Sequence, residues 1–262
     1  MQVKLERGKG LYGPEEVLLE KDDNLIGETP FAKRGYGVAP FLPEKEQGAL
    51  RSGIGDLIER CLREVEGAHL TGFAPGKYHT FVDDALHAQF VEKIRHGFPP
   101  SWFPLPFGLV TKRISEICGV ALQLKNPLTK AELFCVRVVR PASRDFNPPH
   151  RDVWLDRLRN AVNIYVPISG SNEKSSLTLV PGSHLWKESE IERTRQGAVV
   201  HGVVYTVPAV TGAKRRVRMI RPNPGPQEVL VFSPYLIHGG AANKNTDATR
   251  VSLEIRFWRR ES

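Results

Sequence analysis

The chain is expected to fold as a mostly β protein, a sandwich or barrel with helices flanking one sheet. Three observations carry this. Segments with helical spacing are confined to the first half, short runs rich in Val, Ile, Leu and Tyr fill the second half, and two of those runs alternate cleanly with period two. The 262 residues suit one domain, with residues 1–130 as a helix-and-loop part packing on a catalytic core at 131–260.

The first expected helix spans about Ala49 to Gly67, with Leu57, Ile58, Cys61, Leu62 and Val65 on one face and Gly67 as the stop. A second covers Asp84 to Arg95, carried by Ala85, Phe90, Val91 and Ile94. A third runs from Phe107 to Cys118, after the Pro-rich stretch Phe98–Pro106. The expected strands are Glu132–Arg140, Ala161–Ile168, Ser175–Val180, Val199–Pro208, Arg215–Arg221, Glu228–Phe232 and Arg250–Trp258. Pro, Gly and Asn between them favour a sandwich or barrel over a parallel α/β sheet. No internal repeat or low-complexity linker breaks the chain.

Composition narrows the class. Cys61, Cys118 and Cys135 are odd in number and widely spaced, so they suggest neither a disulfide framework nor a zinc knuckle. No apolar run is long enough for a signal peptide or a membrane span, which places the protein in the cytoplasm. Lysine and arginine (37) exceed aspartate and glutamate (29), and the densest cluster is Lys214, Arg215, Arg216, Arg218 and Arg221. That surplus attracts anions, but aromatic residues are not interleaved with the cluster as a single-strand nucleic-acid groove requires. A solvated loop is the simpler account of the cluster itself.

The chemistry concentrates at His150-Arg151-Asp152. In an extended chain residues i and i+2 project to one face, so imidazole and carboxylate converge. A second imidazole, His238, follows the Glu228–Phe232 strand. Two histidines and one carboxylate make the facial triad that binds iron(II) and leaves positions open. Beyond His238 the chain re-enters a strand at Arg250. There Val251, Leu253, Ile255 and Phe257 face one way and Arg250, Ser252, Glu254 and Arg256 the other. Arg250 with Ser252 is suited to hold a carboxylate through the guanidinium fork. Arg256 shares that face and is a rival for the same task. On Ala161–Ser169, Asn163 and Tyr165 share the face opposite Val162, Ile164, Val166 and Ile168. Whether these two point inward to hydrogen-bond a co-substrate or outward to water is open.

The order His150-x-Asp152, a polar or aromatic strand, Pro181-Gly-Ser-His184, His238 and Arg250-x-Ser252 resembles the phytanoyl-CoA dioxygenase family, over roughly Glu132 to Trp258. The resemblance implies a double-stranded β-helix, a jelly roll with flanking helices. It implies iron(II) on His150, Asp152 and His238, and 2-oxoglutarate held at its far carboxylate by Arg250 and Ser252, with Tyr165 nearby. It also implies O2 as the oxidant, with succinate and CO2 released as a C–H bond of a small molecule is oxidised. His184 belongs to a structural turn. Asp152 fills the carboxylate position, which argues against a halogenase. Arg151 and Trp154, two beyond Asp152, stand as candidates for the substrate pocket, and Phe98–Pro106 or Lys187–Gly225 as a lid.

Three rival readings fit the sequence less well. A nucleic-acid repair dioxygenase would carry an asparagine between two arginines after the distal histidine, and Val-Ser-Leu-Glu-Ile lacks it. A non-enzymatic jelly-roll binding protein does not need the full ligand set. A zinc hydrolase lacks its HExxH signature here. His69, His79, His87, His96 and His201 form no pairs and are expected to be surface or satisfied core residues. The basic surplus favours an anionic or carrier-linked metabolite as substrate.

Overall fold

The computed structural model describes residues 10–260 except 66, 68, 144, 201 and 202. In chain order its strands are β1 (Leu11–Tyr12), β2 (Tyr36–Pro40), β3 (Leu122–Gln123), β4 (Phe134–Val139), β5 (Ala161–Ser169), β6 (Ile191–Arg193), β7 (Ala198–Val200), β8 (Val203–Tyr205), β9 (Val210–Ala213), β10 (Glu228–Phe232) and β11 (Arg250–Arg259). The helices are α1 (Glu44–Arg63), α2 (Asp84–Ile94) and α3 (Phe107–Cys118).

Each helix has a legible start or stop. Glu44 and Glu46 place negative charge in the first turn of α1, next to Pro43 at its cap, so it begins before Ala49. The Asp83 carboxylate accepts from the Leu86 amide and caps α2. Gly119, left-handed at φ 68°, closes α3.

The larger sheet runs β2-β10-β5-β11, with β3 and β4 both on the far side of β11, and every pairing is antiparallel. Its outer face is the apolar register of the two alternating strands. Val162, Ile164 and Val166 join Val251, Leu253, Ile255 and Phe257 in one core with Leu50, Ile54, Ile58, Phe90, Val110 and Ile114 of the helices. Phe98 and Phe103 pack on Phe134 in that same core (ring centroids 5.4 and 5.1 Å), so Phe98–Pro106 lies behind the sheet and is no lid. On the inner face, Tyr165, Leu230 and Phe232 meet Leu177, Leu179 and Leu236 of a second layer. The polar register, Asn163 and Tyr165 included, therefore points inward.

That second layer is assembled from β1-β6-β9 and from short segments held by single bridges. Val210 N–H donates to the Pro149 carbonyl (2.7 Å), joining β9 to the segment carrying His150. His150 pairs with His238, His238 with Leu179, and Leu179 with Ile220. Two facing antiparallel layers of this kind are a jelly roll. Ser175–Val180 and Arg215–Arg221, expected as full strands, contribute only these bridges. Val199–Pro208 splits into the β7–β8 hairpin. Strands β1, β2, β3, β6 and β9 fall outside the expected runs. With a Gly and a Pro among its five residues, β2 has little intrinsic strand preference and is ordered by its ladder to β10, Tyr36 opposite Phe232 through Pro40 opposite Glu228. Among the described residues, no helix is long and apolar enough to cross a membrane.

Candidate metal centre

His150 and His238 sit directly opposite each other across an antiparallel bridge. Each backbone amide donates to the other's carbonyl, at 2.8 and 3.0 Å. Residues so paired carry their side chains on the same face, and the two rings lie 4.4 Å apart. Arg151 is extended (φ −108°, ψ 133°), so Asp152 joins His150 on that face. One donor atom from each of the three lies within 4.8 Å of the others. Asp152 Oδ1 is 3.4 Å from His150 Nε2 and 3.8 Å from His238 Nε2.

The donors fit iron(II). His150 Nδ1–H donates to the Pro148 carbonyl (2.7 Å) and His238 Nδ1–H to the Leu236 carbonyl (3.0 Å). Both Nε2 lone pairs are thereby left facing the same point. Burial, aided by neighbouring His150, pushes His238 down to about 4, so it is neutral at physiological pH. Burial opposes the charge on Asp152, but the Arg256 guanidinium beside it holds its carboxyl well below the usual range. Gly239 makes the close approach feasible. At φ +103°, a Cβ there would lie 2.6 Å from the Pro148 carbonyl oxygen and 3.1 Å from His150 Nδ1.

The Pro181–His184 turn braces this site. Gly182 is left-handed at φ 75°. Ser183 Oγ accepts from the Ile237 amide (2.8 Å), one residue before His238, and donates to the Val180 carbonyl (2.7 Å). Buried His184 bonds the Ala32 carbonyl through Nε2 (2.9 Å) and is structural.

Arg151 and Trp154 are not pocket residues. Asp152–Trp154 forms a 3-10 turn, so the two-residue periodicity ends at Asp152 and Trp154 swings away. Arg151 points from the opposite face and is fully buried. It pairs with Glu188 and donates to the carbonyls of Ser183 and Trp186. Trp154 Nε1–H donates to the same Glu188 (2.8 Å), and Arg193 lies over its ring. Arg151 thus ties the metal-facing segment to the brace. Arg151→Ala should destabilise the fold by about 3–5 kcal/mol, because Glu188 then loses its main buried counter-charge. Urea unfolding of the variant beside the wild type measures this.

At the other end of the inner face lies a second cluster. Arg250 is buried and donates through Nη1 to the Ser175 carbonyl (3.0 Å), while its Nε has no partner. Ser252 Oγ and Ser176 Oγ are likewise buried without partners. The Tyr165 hydroxyl beside them bonds Ser171 Oγ (2.7 Å). Arg221 donates to the carbonyls of Ser176 and Ala242 (the latter 2.8 Å), alongside Arg250. Among the described residues, neither arginine has a carboxylate within 4.0 Å. Buried cations with idle donors are a cradle for an anion. Sequence reasoning grouped Arg221 with the basic cluster as a solvated loop, and the structure sets it apart from its exposed neighbours. Arg215 pairs with Glu190 and lies over Trp186, and Lys214 lies over the Tyr12 ring.

Asn163 and Arg256 stand beside Asp152 rather than beside Arg250. Asn163 Nδ2 donates to Asp152 Oδ2 (2.8 Å), and Arg256 reaches the same oxygen. Glu254 and Arg137, a half-exposed ion pair at 3.2 Å, lie between the two clusters. A cavity at the metal end is lined by Asn163, Leu177, Phe232, His238, Glu254 and Arg256. Of the remaining histidines, His87 is buried between the Tyr78 hydroxyl (3.0 Å) and Asp145, and burial pushes it down to about 4. His79 bonds Thr249, His69 and His96 are exposed, and His201 lies outside the described residues.

The phytanoyl-CoA dioxygenase family model matches residues 31–252. The chain belongs to this family. It is accordingly an oxidoreductase of the non-haem iron, 2-oxoglutarate-dependent class. No curated protein matches the sequence. Among solved structures, EctD from S. alaskensis with 2-oxoglutarate and 5-hydroxyectoine is similar, with 16% identity, a TM-score of 0.51 and coverage of 97% of this chain and 85% of that one. The non-heme monooxygenase ThoJ in its apo form is 14% identical, with a TM-score of 0.51 over 90% and 77% of the two chains. These likenesses concern the jelly-roll fold of a family member.

Proposed function

We propose that this family member hydroxylates, or otherwise oxidises, an unactivated C–H bond of a small anionic or carrier-linked metabolite, releasing succinate and CO2. The observation that carries the reading is the pairing, on one inner face, of a three-donor metal cluster with a buried arginine cradle lacking any carboxylate. In this reading His150, Asp152 and His238 hold iron(II), which supplies oxygen activation when bound. Arg250, with Ser252, Arg221 and Tyr165, receives the far carboxylate of 2-oxoglutarate. Asn163 keeps its Oδ1 free beside the metal end.

Charge supports an anionic substrate. Arg137, Arg221, Arg250 and Arg256 stand on or beside the inner face against two carboxylates, Asp152 and Glu254. A dication and a dicarboxylate cancel each other, so the surplus positive charge remains for the substrate. Leu230 and Phe232 of β10 pack with Leu236 into an apolar cluster on the inner face, and Arg137 on β4 is half exposed. On the β7–β8 hairpin the Tyr205 hydroxyl donates to the Phe146 carbonyl (3.1 Å). Free Cys61, Cys118 and Cys135 suit the reducing cytoplasm.

The test is anaerobic titration of the purified protein with iron(II) and then 2-oxoglutarate, followed by the weak visible band of the chelate. A band that saturates with one equivalent of 2-oxoglutarate is the expected result, and succinate release then screens anionic metabolites. Iron binding without a band would sink the co-substrate assignment.

A further inference from the structure

We infer that Arg256, working with Asn163, is a positioning residue that makes Asp152 a one-oxygen ligand. The inference rests on the metal reading above and goes beyond it. Asp152 is buried, and its two oxygens have different surroundings. Oδ2 accepts from Arg256 Nε (3.1 Å), Arg256 Nη2 (3.0 Å) and Asn163 Nδ2 (2.8 Å). A carboxylate oxygen offers about two lone-pair directions, so three donors saturate it. Oδ1 is the oxygen that faces His150 and His238.

The sheet makes this clamp stiff. Arg256 and Asn163 are directly opposite in register on β11 and β5, and both face inward. Turning the carboxylate about its terminal torsion would break three charge-assisted bonds at once. A carboxylate held this way offers the ion one oxygen and cannot close on it with two. The adjacent coordination positions therefore stay open for the co-substrate and oxygen. Arg256 is also committed before any ion arrives, so it is not available as the co-substrate anchor.

Charge and orientation predict opposite signs. Removing a cation beside a dication would, by charge alone, tighten metal binding. An orienting clamp predicts weaker binding when it is lost, by roughly 10- to 100-fold for such outer partners. The experiment titrates cobalt(II), a redox-stable probe, into the wild type, Arg256→Met, Arg256→Lys and Asn163→Leu, recording affinity and the visible cobalt spectrum. Melting of each metal-free protein monitors the fold. Arg256→Met should bind cobalt(II) roughly 10- to 100-fold more weakly with an altered spectrum. Arg256→Lys, which keeps the charge without the fork, should also weaken it, and Asn163→Leu should do so to a smaller degree. Unchanged or tighter binding by a folded Arg256→Met, or wild-type behaviour of Arg256→Lys, overturns the proposal. So does a loss in Arg256→Met that tracks its melting temperature while Asn163→Leu is unaffected. A wild type that binds no cobalt(II) removes the metal reading itself, and this inference with it.

Discussion

Arg250→Gln should raise the 2-oxoglutarate concentration needed to form the iron chelate by roughly 30-fold or more, with iron binding unchanged. Removing one partner of a buried charge pair costs about 2–5 kcal/mol, and each 1.4 kcal/mol is about tenfold in affinity. Arg250 is buried with an idle Nε, and Ser252 Oγ idles beside it. Arg221 already spends donors on the carbonyls of Ser176 and Ala242. It would act mainly through its charge, so Arg221→Gln should cost less, about tenfold. Anaerobic titration of the three proteins measures both effects. Wild-type affinity in Arg250→Gln would place the anchor elsewhere on the inner face and remove the cradle from the proposed function.

His150→Ala and His238→Ala should each weaken iron(II) binding by at least about 1,000-fold, more than the roughly 10- to 100-fold typical of outer-shell changes. Each removes one of three protein donors. The remaining groups replace it poorly, since both Nδ1 atoms face carbonyls, Asp152 Oδ2 is occupied, and the free Asn163 Oδ1 is a neutral amide oxygen, a weaker donor than an imidazole. The fold should tolerate the change. The His150–His238 bridge is made by backbone groups, and the Ser183 brace on Ile237 does not involve either ring. Calorimetric titration with iron(II) under nitrogen, beside melting curves of the metal-free proteins, separates the two. Retention of one tight iron site in either variant would disprove the ligand assignment.

What could be read before the fold was known followed local geometry. The spacing of His150 and Asp152 placed both on one face because Arg151 is extended. The alternation of β5 and β11 put Arg250, Ser252 and Arg256 on the face opposite the apolar register. The same rule failed at Trp154, where the chain leaves the extended form for a 3-10 turn. Arg151, expected as a substrate-pocket candidate, is taken up instead by Glu188, 37 residues away. The expected strands at Ser175–Val180 and Arg215–Arg221 pair only around Thr178–Val180 and Ile220, while Ser175 and Ser176 bond a turn and Arg221 instead.

Legible in local sequence were the three helices, although α1 runs Glu44–Arg63 and does not reach Gly67, and the apolar and polar faces of the long strands. Periodicity and capping act over a few residues, and each is written in its own segment. Which partner each inward arginine meets is set by tertiary contacts. Arg250 and Arg256 share one face of the alternation, and Ser252 two positions on already favours Arg250 as the carboxylate holder. They are separated in role by what the second layer sets against them: Asp152 over Arg256, and the Ser175 carbonyl with Arg221 over Arg250. A charge takes its function from the partner that desolvates it, and that partner comes from a distant part of the chain.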